Sequence, residues 1–243
     1  MIEIIPAIDI IDGKCVRLTQ GDYDAKTIYA DDPLDIAKRF EDAGCRRLHL
    51  VDLDGARTSR VVNYKTLERI VVRTGLTVDF GGGIKSDDDI RIAFDSGAAM
   101  VTGGSIAVKS PETMLKWLGI YGAGRIILGA DARDGKIMVD GWQAGSDTDI
   151  AEFIDYFYNR GIKKVISTDI AVDGMLTGPS TDMYTALLDR FPDMELIASG
   201  GVSAIDDIYR LGENGLSGVI VGKAIYENRI TLHEITAYNL KCH

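Results

Sequence analysis

The 243-residue chain matches itself when displaced by about half its length, and no other feature limits its possible folds so strongly. At an offset of 118, Gly82-Gly83-Ile84 falls on Gly200-Gly201-Val202, Asp88-Asp89-Ile90 on Asp206-Asp207-Ile208, Gly97 on Gly215, and Val101 with Gly104 on Val219 with Gly222, without a gap. At 122, AIDIIDGK (7–14) falls on GADARDGK (129–136), which puts Asp9 on Asp131. At 117, GCRRLHLVDL falls on GIKKVISTDI, which puts Val51 on Thr168 and Asp52 on Asp169. Three matches at nearly one displacement call for two halves of like structure, roughly 1–121 and 122–243.

Within each half, short β-branched runs alternate with amphipathic segments. The runs are IEIIPAI, RRLHLVD, LTVDF, AMVTG, RIILGA, KKVISTD, ELIAS and SGVIVG, eight in all. Between them lie stretches such as DPLDIAKRFEDAG, NYKTLERIVVRTG, SDDDIRIAFDSG and DIAEFIDYFYNRG, with Asp, Asn or Ser at the start to cap the helix and Gly at the end to leave it. Strict alternation implies parallel strands joined by right-handed crossovers. Eight units in a chain this long are the arithmetic of a (β/α)8 TIM barrel, one domain over 1–243 with its two halves related by a pseudo-twofold axis. An open doubly wound sheet has fewer units or a dinucleotide fingerprint, and GGGIKS is not GxGxxG.

Composition narrows the function. No apolar stretch reaches the roughly 18 residues of a membrane span, and MIEIIPAIDI lacks the basic start of a signal peptide, so a cytoplasmic protein with no membrane partner is expected. Three well-separated cysteines, Cys15, Cys45 and Cys242, form no metal-binding spacing and read as reduced thiols; no metal and no cofactor are expected. The net charge is −10 and the basic residues are scattered, which argues against nucleic acid as a partner. An anionic ligand would have to be bound by local geometry, against the global field. The chain is expected to act as a monomer on a small molecule.

The strand-to-helix joints supply such geometry. Gly81–Gly83 follow strand three, and Gly103-Gly104-Ser105 follow strand four; free backbone N–H groups at helix N-termini favour a phosphate. The second half repeats the pair with Gly200-Gly201 and Gly222-Lys223, after strands seven and eight. One joint alone reads equally well as a tight turn. Its recurrence in both halves favours two phosphate cradles and an elongated ligand with a phosphate at each end.

Asp9 and Asp131 close strands one and five, so they face each other across the barrel mouth between the cradles, an acid/base pair by position. A strand-ending Asp also simply caps a turn, which is how Asp12 and Asp134 in their DGK turns are read. Thr168, ending strand six, orients a carboxylate or a sugar hydroxyl, or is an ordinary strand threonine. His49 shares its parity and reads better as a satisfied buried histidine than as a neighbour of Asp9. Trp142, among the glycines of DGKIMVDGWQAGS, either stacks on a flat heterocycle or clips its loop down. Arg17 in KCVRLTQGDY has a parallel choice between an anion contact and a surface salt bridge.

With these motifs assembled, the chain resembles the phosphoribosylformimino-aminoimidazole-carboxamide ribotide isomerases of histidine biosynthesis. The resemblance runs through IPAIDIIDGKCVRLTQGDY, LHLVDLDGA, DFGGGIKS, VTGGS, GADARDGKIMVDGW, STDIAVDGMLTGP, IASGGVS and GVIVGKA, essentially the whole chain. It implies an Amadori rearrangement of a bisphosphorylated aminoaldose to an aminoketose without cofactor or metal. By the same resemblance Asp9 is the general base, Asp131 the general acid, Thr168 a supporting polar group and Asp173 a further contact from loop six. Two places depart from the family pattern: Lys85 stands where arginine is usual, and loop two, DGARTSRVVNY, carries a bulky TSR.

Three rival readings share parts of the pattern. The sister cyclase barrel, which makes imidazole glycerol phosphate, would open on PCLDVKDGRVVKG, unlike the present start. A dual-substrate isomerase that also accepts phosphoribosyl anthranilate shares nearly all the motifs. A non-catalytic phosphate-sensing barrel would keep the glycines but has no need of opposed Asp9 and Asp131.

Overall fold

A computed structural model describes residues 2–19 and 22–241. Eight parallel strands form the expected closed ring: β1 (Glu3–Ile11), β4 (Arg47–Asp52), β5 (Thr77–Gly81), β6 (Met100–Gly103), β7 (Ile126–Arg133), β10 (Lys164–Asp169), β11 (Glu195–Ser199) and β12 (Gly218–Val221). Each pairs with the next, β7 with β10, and β12 closes on β1. The crossovers carry α1 (Pro33–Asp42), α2 (Leu53–Thr58), α3 (Tyr64–Arg73), α4 (Asp87–Asp95), α5 (Ser105–Lys109), α6 (Pro111–Tyr121), α7 (Ile150–Tyr158), α8 (Thr181–Arg190) and α9 (Ile205–Glu213); α10 (Lys223–Tyr226) and α11 (Leu232–Lys241) follow the last strand.

Four strands go beyond the eight read from periodicity. Asp9 and Asp131 do not end their strands: β1 runs on to Ile11 and β7 to Arg133. Each then folds back, β1 onto β2 (Lys14–Thr19) with β3 (Asp22–Ala30) beyond it, and β7 onto β8 (Lys136–Val139) with β9 (Ala144–Asp149) beyond it. The physical cause is the two-residue Asp-Gly turn. Asp12 and Gly13 have φ of 52° and 72°, and Asp134 and Gly135 have 51° and 74°, the doubly left-handed backbone that suits a tight hairpin to strand twist.

Capping follows the sequence with one exception. The side chains of Asp32, Ser86 and Asp149 accept from the first-turn amides of α1, α4 and α7. Asn63 makes no such bond before α3; its amide donates instead to Asp52 at 2.7 Å and Asp54 at 3.0 Å, because two buried carboxylates lie within its reach.

Most of the core fills the shell between strands and helices. A second, smaller cluster plugs the inside of the ring with Ile5, Ala7, Met100, Ile127, Ile166, Ile197 and Ile220. Truncating one of these isoleucines to alanine would cost about 2–5 kcal/mol, because the ring around it has little freedom to collapse. The plug supports a cavity that opens at the C-terminal ends of the strands.

Candidate active site

The cavity has a volume of about 210 Å³, and its walls include Asp9, Arg17, Gly82, Gly83, Gly104, Ser105, Asp131, Trp142, Thr168 and Asp173. A side recess of about 20 Å³ shares Arg17 and Asp173 with it and is lined further by Gly200, Gly201, Gly222 and Lys223. All the residues singled out from sequence therefore lie around one opening. Asp9 on β1 and Asp131 on β7 stand four strands apart in a ring of eight, so the two carboxylates enter the cavity from opposite walls.

The paired glycines are explained by packing between loops. Gly82, Gly83, Gly200 and Gly201 have φ of 92°, 76°, 95° and 81°. A Cβ on Gly82 would lie 2.2 Å from the Asp52 carbonyl oxygen, and one on Gly200 would lie 2.9 Å from that of Asp169. On Gly83 it would meet the Arg60 carbonyl oxygen at 2.4 Å, and on Gly201 that of Gly178 at 2.2 Å. Only glycine fits these joints, whatever the cavity holds.

Gly104 and Gly222 differ from those joints. Their backbones are nearly superimposable in dihedral terms, φ/ψ of −99°/−88° and −111°/−93°, and ordinary in φ. A Cβ on Gly104 would meet nothing closer than the Gly129 carbonyl oxygen at 3.8 Å, so here glycine leaves the start of α5 bare to the cavity. The same atom on Gly222 would lie 2.8 Å from Arg17 Cζ, because that guanidinium rests on the start of α10. Ser105 Oγ accepts from the Asp140 amide at 2.9 Å, and Lys223 Nζ donates to the Gly174 carbonyl at 2.8 Å, tying loops five and six to the two helix starts.

Arg17 makes no surface salt bridge. From β2 its Nη1 donates to Asp9 Oδ2 at 2.9 Å and its Nη2 reaches Asp173 Oδ1 at 3.5 Å, with all three side chains largely buried. Two carboxylates and one guanidinium leave this group one negative charge in excess, and burial pushes the Asp173 carboxyl up; Arg17 opposes the shift while Asp9 and Asp131 reinforce it.

Trp142 is neither a hydrophobic clip nor, in this arrangement, a free stacking surface. Its indole Nε1 donates to Asp131 Oδ2 at 2.8 Å from a backbone with φ of 70°. Burial raises the Asp131 carboxyl above its ordinary value near 3.8, and the hydrogen bonds from Trp142 and Thr168 offset part of that rise. Thr168 sits directly beside Asp131 in the β7–β10 register and is 5% exposed, so its hydroxyl orients the carboxylate.

Asp79, in the same region, was not singled out from sequence. Asp79, wholly buried in β5, pairs with His49 Nδ1 and accepts from Thr102 Oγ1 at 3.3 Å, and Arg47 Nη2 lies 3.5 Å from its other oxygen. The available signal was parity: Asp79 interrupts an apolar strand run, and the register sets it beside His49. Lys85 lines the cavity, where burial lowers its pKa. Loop two, with its TSR, forms α2 and ends on Ser59 at φ 57°, which brings the Arg60 carbonyl onto Gly83. Cys15 and Cys45 are buried free thiols whose pKa burial pushes up to about 11 and about 12, so neither is a ready nucleophile; Cys242 lies outside the described residues. Among the described residues no helix is long and apolar enough to cross a membrane.

A family profile described as "Histidine biosynthesis protein" matches residues 3–231, all but the extreme ends of the chain. The chain belongs to this family. It is 58% identical over 238 residues, 98% of this chain and 100% of the relative, to the 1-(5-phosphoribosyl)-5-((5-phosphoribosylamino)methylideneamino)imidazole-4-carboxamide isomerase of Bacteroides thetaiotaomicron. Isomerases of the same name from Flavobacterium johnsoniae and Cytophaga hutchinsonii are 58% identical over 235 residues and 56% identical over 239 residues, covering 98% and 100% of those relatives. In this histidine biosynthesis family member, the near-complete coverage takes in both hairpins and every residue lining the cavity.

Proposed function

We infer that the chain is the isomerase of histidine biosynthesis that converts the phosphoribosylformimino aminoimidazole carboxamide aminoaldose to its aminoketose by an Amadori rearrangement. The likeness in kind comes from the relatives; the single structural observation that carries the chemistry is the pair of carboxylates, Asp9 and Asp131, facing each other across a cavity with a bare helix start at one side.

Opening the sugar ring needs a proton delivered to the ring oxygen, and enolisation needs one removed from the adjacent carbon. Asp131 is the acid: its raised pKa keeps a proton available at higher pH than an ordinary carboxyl would, and Thr168 holds its orientation. Asp9 is the base on the opposite wall. One phosphate lies against Gly104 and Ser105 beside Gly82 and Gly83. The other lies in the recess of Gly200, Gly201, Gly222 and Lys223. Arg17 rests on Gly222 and on Asp9 together, so an arriving phosphate draws the guanidinium toward itself and leaves Asp9 free to take a proton. Asp173 holds the other side of Arg17. Trp142 turns from Asp131 to stack on the aminoimidazole ring, so that the acid is released as the ligand is covered. Binding energy from the two remote phosphates supports orientation at the sugar.

The test is to incubate the protein with the bisphosphate aminoaldose and follow the absorbance change of conversion, then repeat with phosphoribosyl anthranilate. Turnover of the first substrate is expected; its absence in folded protein would overturn the reading, and turnover of the second would widen it.

A further inference from the structure

Beneath the two carboxylates, the apolar filling of the ring is interrupted by charge. Asp79 is fully buried there, yet it contacts three polar side chains: His49 through Nδ1, Thr102 through its hydroxyl at 3.3 Å, and Arg47 at 3.5 Å. Arg47 in turn holds Glu3 at 3.3 Å toward the other end of the barrel. A buried carboxylate with a cation on either side is costly to assemble and often no more stabilising than hydrocarbon of the same shape. Packing alone gives no reason for it.

His49 gives one. It lines the cavity together with Asp9 and Asp131. Its Nδ1 is paired with Asp79, which leaves Nε2 on the opposite edge of the ring. With Nδ1–H on the carboxylate, Nε2 is a donor only in the imidazolium, the form that an adjacent carboxylate favours. We propose that Asp79 is a positioning residue for the isomerisation: it holds His49 as an Nε2–H donor at the cavity floor, directed at the sugar hydroxyl on the carbon that Asp9 deprotonates. This rests on the isomerase reading above. As that hydroxyl becomes the ketose carbonyl, Asp9 returns the proton taken from its carbon to the neighbouring sugar carbon. The hydroxyl proton leaves to solvent and makes good the one Asp131 gave to the ring oxygen, so the oxygen is an acceptor throughout and a protein donor serves it at every stage. No proton need leave His49.

The electrostatics agree. Burial favours neutral imidazole, but the carboxylate of Asp79 on β5 outweighs it, and Asp9 on β1 and Asp131 on β7 add to the effect, so His49 holds its proton above the ordinary histidine pKa. Arg47, on the same strand as His49, lies against the same Asp79 carboxylate and so shares it with the imidazole. Without the Asp79 charge, burial would prevail at a site where the remaining carboxylates are more distant.

Asp79→Asn tests this, since asparagine keeps an acceptor for Nδ1–H and removes only the charge. The full chain has three histidines, so the ring resonances of His49 are assigned by comparison with His49→Gln. In free Asp79→Asn protein the His49 titration should move down by about one pH unit or more, as loss of an adjacent opposite charge does. Turnover should fall most on the alkaline side of the pH profile, where the protonated form of His49 becomes limiting, and recover toward wild type as the pH is lowered. An unmoved titration, or a loss of turnover by one factor at every pH, would overturn the proposal. If Asp79→Asn does not fold, Thr102→Val, which removes one bond from the carboxylate, should shift the same titration measurably, and no shift would be equally fatal. Failure of the isomerase reading looks different: wild type itself would not convert the aminoaldose bisphosphate.

Discussion

The two half-barrels agree closely in their frame and differ in what covers their carboxylates. The agreement is atomic. Asp12-Gly13 and Asp134-Gly135 turn with the same dihedrals, and Gly83 and Gly201 are pressed against the carbonyls of Arg60 and Gly178, which are themselves 118 positions apart. Asp89 accepts from the Lys85 amide and the Ser86 hydroxyl, and Asp207 accepts from the Ser203 and Ala204 amides, at matching places before α4 and α9. The difference lies in the hairpins. The first sends a guanidinium from a strand onto Asp9; the second sends an indole from a turn onto Asp131. A full positive charge beside one carboxylate and a neutral donor beside the other give two like residues unlike settings, which is what the proposed division into acid and base requires.

The largest expected effect tests that division of labour. Asp9→Asn should lower turnover by at least about 100-fold while product affinity, measured by calorimetry, stays nearly unchanged, because it removes the proposed base and neither proposed phosphate site. Retention of a tenth of wild-type turnover would remove Asp9 from the role.

The next tests the shared frame. Gly83→Ala and Gly201→Ala should each destabilise the fold by about 2–4 kcal/mol in chemical denaturation, through left-handed strain together with overlap on a carbonyl. Gly104→Ala should leave stability nearly intact and weaken binding of the bisphosphate substrate, since its Cβ meets only open cavity. Equal destabilisation at all three positions would show that the joints are alike after all.

Trp142→Ala should raise KM by a factor corresponding to about 0.5–1.5 kcal/mol of stacking. Trp142→Phe sharpens the point, because it keeps a ring and loses the N–H. That bond holds the Asp131 pKa down, so its loss should move the alkaline limb of the kcat/KM profile to higher pH; a limb that stays in place would separate the indole from the acid.

The smallest effect concerns stability and pH. Asp131 has a folded pKa above its ordinary value near 3.8, so the folded state binds more protons than the unfolded chain between those two values, and stability contributed by this group falls as the pH rises through that window. Asp131→Asn should therefore melt slightly higher than wild type at neutral pH, with the gain vanishing below about pH 3.8. A variant less stable than wild type at neutral pH would contradict a burial-raised carboxyl.

How much of this was legible follows the range of the interactions. Strand–helix alternation and the self-match report local periodicity and backbone demands, so the eight barrel strands, the turn role of Asp12 and Asp134 and the glycine joints could all be read along the chain. The two hairpins were missed because their Asp-Gly turns were read only as local caps and their strands lie outside the barrel's apolar pattern. Asp79 was passed over because parity sets its face within its own strand but not the register that brings it beside His49 on the next one.

Sequence by itself determined the barrel, its duplication and the carboxylates at opposite walls, because periodicity, turn chemistry and strand parity are properties of neighbours in the chain. Only the tertiary structure decided which groups those carboxylates meet. Arg17 reaches Asp173 across 156 positions, Trp142 folds back onto Asp131 through a left-handed turn, and His49 finds Asp79 on the next strand. Those contacts set charge, proton affinity and access at the site, and they depend on distances across the closed ring that no run of residues encodes locally.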